Sequence, residues 1–404
     1  MVRPNSKPEA VVSQHQHELD EICARARDEG RFAFDTEFVM EDRYEPEVCL
    51  VQLATEKSVV LVDPLGNLNL QPIWDLLADA QVEKIVHAGQ EDLAVCFRRI
   101  GKVPRHVFDV QIAAGLVGYD YPLSLQKLVH ALLHVRLHKS KTLTDWRKRP
   151  LSASQVGYAA EDVSYLLAVH RKLHARLSAR DRFSWAVEEF RAFEDETLYV
   201  RAEEDKLRRV KGVSVLRGKQ MAVARRLLQW RDELARTLNR PARIVMKDHL
   251  LVDVARHSVS SFSDLRDLRG LNMSDKNIHA LAGVVREALT ASAGPGEDEG
   301  SARAHDVEAP QETVLITLAT AVVRGYCLDN DLAYGLTATK NSIRDLIRHR
   351  TLGRPADPAS VELLSGWRGH TVGAMLDEVL AGRRSIHVEQ VNGELGVRLG
   401  PRGG

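Results

Sequence analysis

Between Arg31 and Pro64 the apolar and polar positions follow the two-residue rhythm of strands. RFAFDTEFV is apolar and aromatic, EVCLVQLAT alternates, and SVVLVDP is β-branched and stops at a proline. The Arg-Tyr-Glu-Pro stretch after the first run and the Glu-Lys after the second predict antiparallel hairpins. A helix around Gln71–Ala80, a fourth strand at Lys84–His87, a helix from about Glu91 to Ile100 and a short strand at Val107–Asp109 follow. Beyond that point the pattern is almost entirely helical, with a long stretch from Ser154 to about Arg201 broken near Arg180–Asp181. Hairpins first and strand–helix alternation afterwards predict an α/β architecture, a mixed sheet with flanking helices.

Around Arg201–Lys219 the chain turns basic and irregular, which marks a junction. Four segments of helical period then follow: MAVARRLLQWRDELARTL, HLLVDVARHS, FSDLRDLR and NIHALAGVVREALT. Their lengths and short polar links predict a small all-α bundle. Residues 291–312 hold a single valine as their only large apolar side chain among Gly, Ala, Ser, Pro and acids, the composition of a flexible linker. TVLITLATAVVRGYCL, SIRDLIRHR and HTVGAMLDEVLAGR read as further amphipathic helices, and IHVEQVNGELGVRL as a hairpin turning at Asn392-Gly393. The expected domains are 12–205, 213–290 and 313–400, which suits a chain of 404 residues.

Lys+Arg and Asp+Glu both total 56, so the net charge is zero. That balance argues only weakly against a polyanionic partner, because the placement of charge matters more than its sum. Arg208, Arg209, Lys211, Arg217, Lys219, Arg225 and Arg226 crowd the start of the bundle, with Arg231, Arg236, Arg240 and Arg243 beyond. They suit a face for phosphates or an ordinary solvated helix surface equally well. The four cysteines are scattered, which speaks against a disulfide framework or a zinc finger. No run approaches the ~20 apolar residues of a membrane span, and the N-terminus has no apolar signal core. The sequence therefore reads as a cytoplasmic protein, and as a monomer because it shows no heptad seam.

Four carboxylates and a tyrosine carry the candidate chemistry. Asp35 and Glu37 lie two apart in an apolar strand, so they share one face, an arrangement that is costly unless cations neutralise it. Asp92 opens the helix after KIVH, where an acid also serves the helix dipole, so taken alone it has an ordinary explanation. Tyr158 and Asp162, four apart, project from one helix face, a spacing that chance also supplies. Hard oxygen donors with few nitrogens or thiols nearby select Mg²⁺ or Mn²⁺. Four carboxylates can hold two such ions and serve in-line displacement at phosphorus, with a phenol beside them to orient the attacking water.

DTE, HAGQEDL and YAAEDV, in this order and separation, resemble the three exonuclease motifs of the DEDD superfamily in its tyrosine branch. The stretch KSKTLTDWRKRPLSASQVGYAAEDVSYLL resembles the ribonuclease D family in particular. This resemblance covers roughly residues 12–178. It implies a ribonuclease H-like fold and a 3′→5′ exoribonuclease that hydrolyses phosphodiester bonds at RNA 3′ ends, as in tRNA precursors, releasing 5′-mononucleotides. It also implies that Asp35, Glu37, Asp92 and Asp162 bind two divalent metal ions while Tyr158 places the nucleophilic water. Residues 213–289, with LLQWRDELARTLNRPARIVMKDHLLVDVA, resemble an HRDC domain, and the region beyond Glu312 resembles a more divergent helical domain of the same family.

Lesser candidates surround the five. Phe38, just past the acid pair, could wedge against a terminal base, although strand alternation points it the other way. His87 at a strand end could contact substrate or be a buried, hydrogen-bonded histidine. Lys139 and Arg149, which flank TDW, could meet phosphates. Two alternatives stay open on the sequence. One is a 3′→5′ DNA exonuclease of the proofreading or Werner type, which shares the metal chemistry. The other is a non-catalytic nucleic-acid-binding module.

Overall fold

The computed structural model describes residues 10–39, 43–138, 144–200, 206–207, 209–291, 309–353, 357–391 and 394–401. Its first part runs β1 (Ala10–Ser13), α1 (Gln16–Glu29), β2 (Arg31–Val39), β3 (Glu47–Ala54), β4 (Val59–Val62), α2 (Gln71–Ala78), β5 (Glu83–Val86), α3 (Gln90–Ile100) and β6 (Val107–Asp109). Then come α4 (Val110–Gly115), α5 (Leu125–Leu133), α6 (Ala153–Ser164), α7 (Leu166–Ala179) and α8 (Phe183–Arg191). The sheet order is β1-β4-β3-β2-β5-β6. β3 and β4 pair antiparallel, as the pattern predicts, while β2, β5 and β6 run parallel and β1 joins β4 in parallel. This is the mixed sheet with flanking helices, and it places β2, with its two acids, in the interior of the sheet rather than at an edge.

β1 and α1 lie outside the predicted elements. Leu19, Ile22, Cys23 and Ala26 are the buried stripe of α1, at helical spacing but amid so many charges that the segment is polar on average. β1 is four residues long, too short to carry an alternation. The helical stretch after Ser152 breaks where expected, at Asp181 with φ 55°, and a second time at Tyr165. Lys84 is wholly buried, and its ammonium donates to the carbonyls of Val82 (2.6 Å) and Asp79, the residue that ends α2. An interior charge is tolerable because those carbonyls replace water.

The described residues within 38–48 and 196–291 form a second compact unit. In it α9 (Lys219–Thr237), α10 (Ala242–Val245), α11 (Asp248–His257), α12 (Phe262–Arg266) and α13 (Asp275–Ala291) enclose a core that includes Leu227, Leu251, Leu265, Leu281 and Val285. Part of the basic cluster at the start of the bundle serves the bundle itself. Arg231 is buried, donating to Asp248 (2.7 Å) and to the Met246 carbonyl (3.1 Å), so it serves the bundle. Lys206 pairs with Asp232 at 2.7 Å, and Arg217 donates to the carbonyls of Ser214 and Leu216. Arg208 lies outside the described residues.

The C-terminal residues, expected as a domain of their own, cluster with the sheet in the first unit. They comprise α14 (Pro310–Asp329), α15 (Tyr334–Thr337), α16 (Lys340–Leu352), α17 (Gly366–Arg368), a π turn (Gly369–Gly373), α18 (Ala374–Leu380) and the antiparallel hairpin β7 (Arg384–Val391) with β8 (Glu394–Pro401). The turn residues of that hairpin, 392–393, lie outside the described residues. Trp367 stacks on Trp185 of α8 at 4.9 Å and 12°, and Arg368 forks onto Glu189. Arg182 donates to the carbonyls of Leu116, Asn330 and Asp331, and the Ala333 amide donates to the Gly115 carbonyl at 2.8 Å. A planar charge pair beside stacked indoles is a specific seat as well as a greasy one.

Candidate active site

β2 aims the first two acids. Its burial pattern leaves Asp35 and Glu37 partly open and buries Thr36 between them, as strand alternation requires. Thr36 faces away from the acids' side and yet holds a third one. Its amide donates to Asp92 Oδ1 at 3.1 Å and its hydroxyl donates to the same oxygen at 2.5 Å. A threonine in the middle of DTE is thus what ties Asp92 to β2, and sequence reasoning passed over it.

Asp92 reaches that place through a tight turn after β5. Ala88 is left-handed at φ 54°, and a β-carbon on Gly89 would fall 2.6 Å from that of Val86, so this position must be glycine. The amides of Ala88 and Gly89 donate to the carboxylate of Asp109 (3.2 and 3.1 Å), which also accepts from Gln111 (2.8 Å) as the cap of α4. Asp109 is therefore, after Thr36, a second residue that the sequence reading missed. It is buried at a strand end and binds backbone amides, which fixes the turn that delivers Asp92. The signal available was an acid closing an otherwise apolar strand.

Tyr158 and Asp162 rise from α6, whose start is set by a capping box: Ser152 Oγ accepts from the Gln155 amide, and the Gln155 side chain accepts from the Ser152 amide. The Tyr158 hydroxyl donates to Asp162, and the buried Trp146 packs against the phenol at 6.2 Å. On the next turn, Glu161 accepts from the amide (2.9 Å) and ring (2.6 Å) of His138.

The electrostatics follow from crowding. Burial, then Asp92, Asp162 and Glu37, push the carboxyl of Asp35 well above its ordinary range. Burial, then Asp162 and Asp92, push Glu37 up to about 8. Burial raises Asp162 to about 7 and Asp92 to about 6, with Tyr158 and Thr36 respectively holding each back. Burial and the neighbouring acids also raise the Tyr158 phenol above its usual value, so it stays protonated. Among the described residues, no lysine or arginine is one of the groups that act on Asp35 or Glu37. Four mutually repelling carboxylates form a donor set that suits hard divalent ions. Among the described residues, however, no three His, Cys, Asp or Glu side chains are already gathered tightly enough to close around one ion. Binding would require the acids to draw in, and Asp92 keeps its second oxygen free of Thr36 for that purpose.

The lesser candidates fare differently. His87 is half-buried, with Nε2 2.8 Å from the Leu123 carbonyl; burial lowers its pKa, against the pull of Asp109. Phe38 is half-buried, one residue past Glu37. Lys139 lies outside the described residues. Arg149 corrects the expectation of a phosphate contact. Its N–H groups donate to both oxygens of Asp63 and to the carbonyls of Cys49, Trp146 and Lys148, which uses all five donors. It clamps the segment before α6 onto β3 and β4. Arg149→Gln is therefore expected to cost about 1–3 kcal/mol of stability, read as a lower melting temperature with RNA affinity unchanged. Weaker RNA binding at an unchanged melting temperature would restore the phosphate role.

Comparison with known proteins places this geometry. Residues 10–178 match the 3′-5′ exonuclease family and residues 220–280 the HRDC domain. Ribonuclease D of Gluconacetobacter diazotrophicus is 31% identical, over 93% of this chain and 93% of its own length. The Bartonella henselae ribonuclease D is 28% identical, over 94% and 92%. The crystal structure of Escherichia coli RNase D, described as an exoribonuclease involved in structured RNA processing, superposes with a TM-score of 0.77 at 29% identity, covering 93% of this chain and 99% of that one. With an exonuclease match, an HRDC match and ribonuclease D relatives similar along nearly the whole chain, the protein belongs to the ribonuclease D family of 3′→5′ exoribonucleases.

Proposed function

We propose that the enzyme trims RNA 3′ ends, with tRNA precursors as its substrates, using two divalent cations, Mg²⁺ or Mn²⁺, held by Asp35, Glu37, Asp92 and Asp162. One observation carries this reading: four carboxylates converge on a tyrosine and raise one another's pKa, with no lysine or arginine acting on the inner pair among the described residues. Bound there, the ions would supply the positive charge that the scissile phosphate and the departing oxygen need. The side chains do the rest. Thr36 fixes Asp92, Asp162 accepts a hydrogen bond from the Tyr158 hydroxyl, and the protonated phenol orients a water for in-line attack and does not act as a resting base. The product is a 5′-mononucleotide. RNA is preferred to DNA on the strength of the family and the TDW run before α6.

In this reading residues 12–205 are catalytic, 213–290 form the HRDC domain that helps grip RNA, 291–312 are a linker and 313–400 a further helical segment. The enzyme works as a monomer in the cytoplasm, where the buried free thiols of Cys23, Cys49 and Cys327 suit a reducing compartment. No helix among the described residues is long and apolar enough to cross a membrane.

The test is a time course on a 5′-labelled RNA with a 3′ tail and on its DNA twin, with Mn²⁺, with Mg²⁺ and with chelator. A cation-dependent ladder on RNA alone is expected. Equal trimming of DNA would move the assignment to a DNA exonuclease, and no trimming of either would leave a binding module. Tyr158→Phe is expected to slow turnover by ~10²-fold or more while the cation-induced rise in melting temperature persists. Unchanged kcat would remove the tyrosine from the mechanism.

A further inference from the structure

The acids sit toward the C-terminal end of β2 and just beyond β5. At the other end of the same strands lies a cavity of about 450 Å³, within the size range of small-molecule sites. Arg31 and Glu83 open β2 and β5 there, His106 precedes β6, His170 and His174 come from α7, and Phe183 opens α8. Arg31 and Asp35 are four strand residues apart, roughly 13 Å at strand rise, so a ligand of this cavity does not touch the acids.

Glu83, the acid of this cavity, is already engaged: His170 Nε2 stands 3.2 Å from one oxygen and His106 Nε2 3.8 Å from the other. The guanidinium of Arg31 makes no hydrogen bond or ion pair among the described residues and only adds its field to that of the histidines around Glu83. Arg171, also on the wall, pairs outward with Glu56. His170 is only 3% exposed; its Nε2 meets Glu83 only as an ill-aligned charge contact and its Nδ1 has no partner, a buried ring that calls for an explanation. Aromatic surface lies beside it. His174 meets Phe183 at 4.6 Å and 52°, and Phe108 packs edge-on to His170 at 4.4 Å. His106 takes the left-handed conformation (φ 50°), rare for a non-glycine residue and more common at binding sites.

We propose that this cavity binds a nucleoside monophosphate group, its phosphate at Arg31 and its base against His174 and Phe183. A free guanidinium matches a phosphate, and paired rings take any base by its face. The group can be a free mononucleotide or an unpaired nucleotide of an RNA strand. Calorimetric titration of the full-length protein in chelator with AMP, adenosine, inorganic phosphate and a short oligoadenylate tests it. AMP is expected to bind at least ~10-fold more tightly than adenosine or phosphate alone, and Arg31→Gln and His174→Ala each to weaken AMP by ~10-fold, while Asp35→Asn leaves it intact. Phe183→Leu and the melting temperature of each variant guard against a folding defect. Oligoadenylate binding as well as AMP identifies an RNA strand as a ligand source, and AMP binding alone identifies the free nucleotide. The proposal is overturned if AMP does not bind, if phosphate binds equally well, if binding is lost in Asp35→Asn but kept in Arg31→Gln, or if the histidines take up Zn²⁺ and exclude AMP.

Discussion

Asp35→Asn is expected to lower RNA trimming by at least ~10³-fold and, in the same protein, to raise the melting temperature measured in chelator at pH 8. The two effects share one cause. Asp35 is crowded by Asp92, Asp162 and Glu37 on top of its own burial, and the single Thr36 amide that favours its charge does not offset them. Without cations, the folded chain either holds that charge against its neighbours or takes up a proton that the unfolded chain has released. Both cost free energy at pH 8. Asparagine keeps the shape and removes the penalty, and a gain of ~1 kcal/mol is worth about 2–4 °C in a domain of this size. With Mn²⁺ the order should reverse, because the wild type gains a bound cation and the variant loses a ligand. A variant that still trims would sink the four-carboxylate assignment. One that melts lower in chelator would mean that hydrogen bonds hold Asp35, not repulsion.

The same contrast explains what was legible in the sequence. Asp35, Glu37, Tyr158 and Asp162 were readable because strand period and helix spacing map directly onto faces. Asp92 had an ordinary explanation as a dipole partner until its carboxylate was found on Thr36. The sheet and the bundle followed from period, and the break at Asp181 from a local interruption. What escaped depends on partners distant in the chain. Arg149 looked free because nothing near it in sequence shows Asp63 and the Cys49 carbonyl waiting 86 and 100 residues away. Asp109 looked like a strand end because the amides it binds belong to a turn about 20 residues earlier. Arg231 looked like surface until Asp248 and the Met246 carbonyl closed over it. The seat of Trp367 and Arg368 on α8 likewise has no local signature. Pattern gives faces, but what a polar side chain spends its hydrogen bonds on is settled by tertiary contact.

Stability should also depend on pH in a direction opposite to that of most proteins. The folded carboxyls of Asp92, Asp162 and Glu37 titrate at about 6, 7 and 8, against ordinary values of 3.8 to 4.5. Between those limits the native state holds more protons than the unfolded chain, so stability falls as pH rises. Most of the other shifted carboxyls are lowered: Arg149 holds Asp63 down and Arg348 holds Glu312 down, and such groups lose their contribution only in more acid solution. His87, lowered by burial, opposes the acids only up to its ordinary 6.5. Cys23, raised to about 11 from 9.0, does not act until above pH 9. The window from pH 6.5 to 8 therefore belongs chiefly to Asp35, Asp162 and Glu37. In chelator the melting temperature is expected to fall by about 3 °C or more across it, and Glu37→Gln should remove part of that slope. Saturating Mn²⁺ should remove the rest, because a cation that displaces the protons abolishes the difference in proton uptake. The gain on adding Mn²⁺ should accordingly be larger at pH 8 than at pH 6.5. A melting temperature in chelator that stays flat from pH 6.5 to 8, the same in Glu37→Gln as in wild type, would mean that the carboxylates do not crowd one another and would leave the cations without their electrostatic reason to bind.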